Sequence, residues 1–214
     1  MHISQIDLLT AIAAMLAVGM CGTAGTQTLV RGVAAQTVLL GIITMMLGIK
    51  LHAPHYLWLG GVVLVVKAIA IPGYLAWAVH KLRIRQGGGP TISPVLALLA
   101  GCGILTVSFF LAPRIAVDAM GNRGAAGMAL ALLLIGMLLM LTRRYAINQV
   151  IGFLVLENGI FLYGLTQTHG MPLIVEMGVV FDVLVGVLVA GVVIFRLNRS
   201  FEHIDVTQLR GLRH

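Results

Sequence analysis

Two neighbouring apolar stretches decide how this chain is read. Ala146–Leu165 runs AINQVIGFLVLENGIFLYGL, and Pro172–Phe195 runs PLIVEMGVVFDVLVGVLVAGVVIF. At about 1.5 Å of rise per residue, each is long enough as a helix to cross a hydrocarbon core of about 30 Å. Each nevertheless carries acid: Glu157 in the first, Glu176 and Asp182 in the second. A carboxylate at the bilayer centre costs about 2.5–3.5 kcal/mol on insertion scales. Three such groups in two adjacent segments point to movement of a cation, above all a proton, through a membrane.

Working outward, composition agrees with the membrane reading. Of 214 residues, 59% are hydrophobic and 10% charged, with a mean hydropathy of +1.03. Soluble domains carry about 25% charged residues. The apolar runs are long and continuous rather than short and alternating, which excludes a β-barrel. The sequence predicts an all-α polytopic membrane protein of about seven transmembrane helices. They fall near 7–29, 32–50, 56–80, 93–112, 124–142, 146–165 and 172–196. Residues 1–112 form a front group of four helices, 113–200 a group of three, and 201–214 a tail. The first run lacks basic residues ahead of it and is too long for the apolar core of a signal peptide, so it is expected to be a retained helix. Cys21 and Cys102 lie in separate spans without CxxC spacing and read as small core residues.

Basic residues set an expected orientation. Arg31, Lys81, Arg83, Arg85, Arg143, Arg144, Arg196, Arg199, Arg210 and Arg213 fall on one side, against Lys50, Arg114 and Arg123 on the other. By the positive-inside rule the N-terminus faces out and the C-terminus faces the cytoplasm. The net charge of +7 thus reflects topology. Basic residues scattered over several loops make no stripe for nucleic acid. A parallel repeat of spans one to three and five to seven, with span four as linker, is a weaker reading; Gly61 and Gly178 each open a Gly-Val-Val.

Depth refines the charged set. Glu157 falls near the middle of span six, Asp182 near the middle of span seven and Lys67 near the middle of span three. Glu176 lies about 9 Å outward of Asp182 and about 120° around the same helix. Burial favours the neutral form of a carboxyl and a nearby ammonium favours the ionised form. Glu157 or Asp182 with a lysine in reach could therefore alternate between paired and protonated states. The plainer readings are structural: an interhelical hydrogen bond for the carboxylates, a buried ion pair for Lys67, an interfacial position for Glu176. Arg143 and Arg144 suit the anchoring of a helix end, with proton uptake at the cytoplasmic side as the alternative. His52, His55 and His169 read as loop histidines. No phosphate-binding glycine loop, HExxH or iron–sulfur cysteine set is present, and Gly87-Gly88-Gly89 reads as a turn.

At these residues the chain resembles a known family. The last three spans are similar to the K subunit of respiratory complex I, a three-helix protein with carboxylates on its second and third helices. The resemblance is carried by Thr142-Arg143-Arg144, Ile151-Gly152-Phe153, Glu157-Asn158, Phe181-Asp182 through Gly186, and the tail Asn198-Arg199 to Leu209-Arg210-Gly211. The longer architecture, with its ENG and EMGVVFDVLVGV segments, resembles hydrogenase-4 component E, a membrane-arm subunit of group 4 nickel–iron hydrogenase and formate hydrogenlyase-type complexes. Two departures stand out. Glu157 comes about one turn later than the glutamate of the K subunit, and Asp182 replaces a glutamate. The resemblance implies a subunit without a catalytic centre or cofactor of its own, with nickel–iron and iron–sulfur centres in partner subunits. It implies antiporter-like pump subunits, a quinone-site-like anchor subunit and a hydrogenase-like soluble arm as partners, in the cytoplasmic membrane of a bacterium or archaeon. It implies Glu157 and Asp182 as proton relay sites, with Lys67 tuning or extending the relay; Glu176, which has no clear counterpart in the K subunit, is a further relay candidate, and the moving ion could be H⁺ or Na⁺. Two other readings stay open: a small autonomous secondary transporter, for which Pro72-Gly73 would supply an unwound segment, and a purely structural assembly subunit.

Overall fold

The computed structural model describes residues 5–81, 91–116 and 123–167, together with Gly191. The seventh span, Glu176, Asp182, His169 and the basic tail lie outside the described residues. Everything described is helix or short turn. Six helices among the described residues are long and apolar enough to cross a membrane. They are α1 (Gln5–Gly22), α2 (Thr26–Lys50), a compound third crossing, α5 (Pro94–Ile115), α6 (Arg123–Thr142) and α7 (Ala146–Gln167). The third crossing is built of α3 (Pro54–Val62), a π-helical stretch π1 (Val63–Ala70) and α4 (Ile71–Lys81). The protein is a multi-pass helical membrane protein.

Punctuation along the chain explains most boundaries. Ser93 caps α5, its hydroxyl accepting from the Leu96 amide at 3.2 Å, with Pro94 in the first turn; this is the arrangement a helix start favours. Pro54 likewise stands in the first turn of α3, where the preceding Ala53 supplies no side-chain cap. The turn between α2 and α3 passes through His52 at φ 51°, so this histidine bends the chain in the left-handed region that glycine more often fills.

Two boundaries differ from the sequence expectation. The first two helices meet at Thr23-Ala24-Gly25 and not near Arg31. Gly25 is extended, with φ −82° and ψ 123°, which breaks the helix. Arg31 therefore lies inside α2, exposed on its surface, rather than in a loop. Nor does Pro72-Gly73 unwind the third crossing. Proline cannot supply the N–H that the Ala68 carbonyl would otherwise accept, and its ring crowds that carbonyl. The chain answers by widening: the eight residues before Ile71 are π-helical, and the helix then continues through the proline to Lys81. Local π turns are one of the few recognised adjustments to such a break.

α1 packs against α2, α5 and α6, while α7 lies in the angle between α2 and α6. The α6–α7 contact is the closest. A methyl placed on Gly159 would lie 2.6 Å from the Leu133 amide nitrogen, and one on Gly152 2.8 Å from that of Met140. Lipid is as apolar as leucine, so helices in a bilayer gain from such close backbone approach rather than from apolar burial. The third crossing packs chiefly on α2 and leaves Trp58, Val65, Ile69 and Trp77 exposed.

Candidate functional site: a buried ion pair and its polar neighbours

Three consecutive residues of α7 organise the middle of the bundle. Successive residues of an α-helix point about 100° apart, so Glu157, Asn158 and Gly159 between them face most of the circumference. Each addresses a different element. Glu157 faces the third crossing, Asn158 faces α2 and Gly159 faces α6.

Glu157 meets Lys67. The ammonium Nζ donates to Oε1 at 2.7 Å. Lys67 is 7% exposed and Glu157 2%. Both sit at the midpoints of their crossings, as the depth estimate required. π1 lies against α2, and the long lysine stem carries its charge across to α7. The Nζ is also 5.7 Å from the centroid of Phe161, which lies one turn beyond Glu157 and so on the same face. An aromatic face adds favourable electrostatics to a desolvated ammonium. The sequence brought Lys67, Glu157 and Asp182 to one depth; the structure joins the first two.

A neutral polar cluster abuts the pair. The Asn158 side-chain Nδ2 donates to Gln36 Oε1 at 3.1 Å and to Thr37 Oγ1 at 3.2 Å. Gln36 Nε2 donates onward to the Ala13 carbonyl at 3.0 Å, and the Thr37 hydroxyl donates to the Val33 carbonyl at 2.8 Å. All three side chains are buried. Sequence reasoning missed Gln36 and Thr37, because neither carries charge. Their signal was present: an amide in the run AAQTVLL has no water to bond and must find a partner inside the bundle.

The two arginines separate. Arg144 is exposed and Arg143 is buried. The Arg143 guanidinium closes the C-terminal end of α1, donating from Nη1 to the Thr23 carbonyl at 2.7 Å and from Nη2 to those of Met20 and Cys21 at 2.9 and 3.2 Å. A helix leaves its last carbonyls unsatisfied and carries partial negative charge there. Arginine's fork answers both needs. Burial lowers the Arg143 pKa, and the nearby Cys21 thiol opposes that shift. Anchoring of a helix end was one of the expected roles; the end is that of α1, far away in sequence. Arg143→Ala would take this donor from all three carbonyls; that of Met20 keeps the Thr23 amide and hydroxyl, and each buried group left unmade costs about 1–3 kcal/mol. We expect a loss of thermal stability in detergent that Arg143→Lys restores only in part, since one ammonium cannot reproduce the fork; a fluorescence melting curve reads it.

No group of three or more histidine, cysteine, aspartate or glutamate side chains that could hold a metal occurs among the described residues. His52 and His55 sit at the α2–α3 connection, the His55 ring tilted by 35° against that of Tyr56 with centroids 4.4 Å apart. Tyr163 ties α7 to the end of α5 by donating to the Ile115 carbonyl at 2.8 Å.

The fold and this centre define a class: a multi-pass helical membrane protein with an ion pair buried at mid-bundle. The chain is 34% identical over 189 residues, 87% of its length and 86% of the relative's, to the uncharacterized protein Rv0085 of Mycobacterium tuberculosis, and it belongs to that protein's family. It is also 25% identical over 150 residues, 70% of its length and 69% of the relative's, to hydrogenase-4 component E of Escherichia coli K12. The same figures hold for hydrogenase-4 component E of Shigella flexneri. No family model and no solved structure matches the chain.

Proposed function

We propose that this chain is a membrane-arm subunit of a complex of the hydrogenase-4 type, and that its Lys67–Glu157 pair is one element of a proton path driven by redox chemistry in other subunits. The 2.7 Å ion pair at the centre of the bundle carries the reading. Its support is threefold: the price of keeping two charges in hydrocarbon, their common depth, and the likeness to hydrogenase-4 component E. Buried ion pairs rarely add net stability over apolar residues of the same shape. A pair retained at mid-membrane is better explained by use than by stability.

In this reading the pair has two states. In one, the Glu157 carboxylate is ionised and bonded to the Lys67 ammonium. In the other, Glu157 holds a proton, loses its charge and releases its grip on Lys67, which then needs another counter-charge. Asp182, at matching depth in the seventh span, is assigned that role, and Glu176 lies on the outward limb. Of the two arginines, Arg144 is the one placed at proton uptake on the cytoplasmic side, because Arg143 is committed to the end of α1. Nickel–iron and iron–sulfur centres belong to partner subunits, with antiporter-like and quinone-site-like subunits alongside this one. The C-terminus faces the cytoplasm, and residues 113–200 form the part related to the K subunit of respiratory complex I.

Affinity purification from gently solubilised native membranes tests the assignment. The chain should co-purify with subunits of hydrogenase-like and antiporter-like sequence. Recovery as a solitary protein that moves a solute when reconstituted alone would overturn it.

A further inference from the structure

The polar cluster beside the ion pair is not needed to carry protons. Amide side chains hold no proton to give up at working pH, and Gln36 and Asn158 are both amides. Its interhelical bonds nevertheless run one way, from α7 to α2 and from α2 to the backbone of α1, while the Thr37 hydroxyl donates within α2. Both hydrogens of the Asn158 amide are used, on two neighbouring residues of one helix. Such a two-point attachment resists rotation of α7 about its own axis.

Rotation matters here more than it would in a soluble protein. Most of α7's surface is apolar, and apolar faces are nearly interchangeable between lipid and neighbouring helix. Gly159 sets how closely α7 approaches α6, but a glycine makes no directional bond. Glu157 precedes Asn158 by one residue, so any turn of the helix moves both. A turn of roughly 20° shifts a group at the helix rim, about 6 Å from the axis, by about 2 Å. That displacement would convert the 2.7 Å bond to Lys67 into a separated pair.

We infer that Asn158 is a positioning residue, which with Gln36 and Thr37 fixes the rotation of α7 and so aims Glu157 at Lys67. The geometric part stands on the hydrogen bonds alone; its consequence for proton movement rests on the relay reading of Glu157.

The test has two arms. The first reads geometry without activity. In the intact complex, with Cys21 and Cys102 replaced by alanine, Lys67→Cys and Glu157→Cys are joined by a short bis-maleimide. Asn158→Leu and Gln36→Leu should each lower the cross-linking yield at least threefold. Thr37→Val should lower it less, and Thr37→Ser should leave it unchanged. The double variant Gln36→Leu/Asn158→Leu should be no worse than the poorer single one. Unchanged yields in both Asn158→Leu and Gln36→Leu overturn the inference. Should Asn158→Leu fail to accumulate, Gln36→Leu and Thr37→Val decide on the same readout. The second arm follows redox-driven proton movement in vesicles across pH. Asn158→Leu should cut the rate at least tenfold and displace its pH profile, with Glu157→Gln as reference. Loss of cross-linking with normal pumping in Glu157→Gln would sink the relay reading and leave the positioning role standing. Normal cross-linking with a dead Glu157→Gln would do the reverse.

Discussion

Glu157→Gln is expected to abolish redox-driven proton movement while leaving the chain in its complex. Glutamine keeps the shape of the side chain and an oxygen that can accept from Lys67 Nζ, but it cannot bind and release a proton. It also takes away the negative charge that lies 2.7 Å from the ammonium. Removing one partner of a buried ion pair costs about 3–5 kcal/mol, so a fall in stability alone could be mistaken for a lost relay. The double variant Lys67→Met/Glu157→Leu separates the two effects. Replacing both charges with apolar groups of similar volume is often neutral or stabilising. The double variant should therefore accumulate and melt like the native protein, or better, and still fail to acidify vesicles. Lys67→Met alone should be the least stable of the set, since it leaves the carboxylate buried at mid-bundle. Pumping at the native rate by the double variant would make the pair a structural device and remove the basis of the proposed mechanism.

The features legible in the sequence were those written in charge and run length. Six of the expected crossings are helices in the described residues, because 20 apolar residues in a row admit little else. The shared depth of Lys67 and Glu157 could be counted off the chain, since both lie at the centres of their runs. Which partner Lys67 takes could not, because depth says nothing about which helices touch. The break at Thr23-Ala24-Gly25 was misplaced for a definite reason. Nothing there is charged, and Arg31 offered a more conspicuous boundary a few residues later. The widened helix around Lys67 has no periodic signature of its own. Only Pro72 hinted at a disturbance, and the disturbance was absorbed by π turns instead of a break. Arg143 shows the opposite case: its role as an end anchor was readable, but the end it anchors belongs to α1, more than a hundred residues away.

These pieces fit together around the Glu157-Asn158-Gly159 step. A charged side chain, an amide and a bare backbone are placed in succession, and the helical twist sends each to a different neighbour. The ion pair is thereby held between elements that differ in how tightly they pack. α7 is tied closely to α6 and by hydrogen bonds to α2, whereas π1 faces it mainly through one long lysine.

Gly136 provides the sharpest test of that packing. A methyl built on it would run into the backbone nitrogen of Leu156, the residue before Glu157, and Gly152 and Gly159 approach α6 backbone on either side. No rotamer change relieves a clash with backbone, so Gly136→Ala must push α6 and α7 apart. Overpacking of this kind costs about 1–3 kcal/mol and occasionally more. Moving α7 off α6 would also disturb the aim of Glu157. Gly136→Ala should thus lower both the melting temperature of the purified complex and the amount of chain in the membrane. Gly103 and Gly61 supply the control, since none of the described residues lies within 4 Å of a methyl placed on either. Alanine is favoured over glycine inside a helix by roughly 0.5–1 kcal/mol, so Gly103→Ala should be neutral or slightly stabilising. Equal behaviour of Gly136→Ala and Gly103→Ala in the same melting assay would mean that α6 and α7 do not meet backbone to backbone, and the placement of Glu157 opposite Lys67 would lose its scaffold.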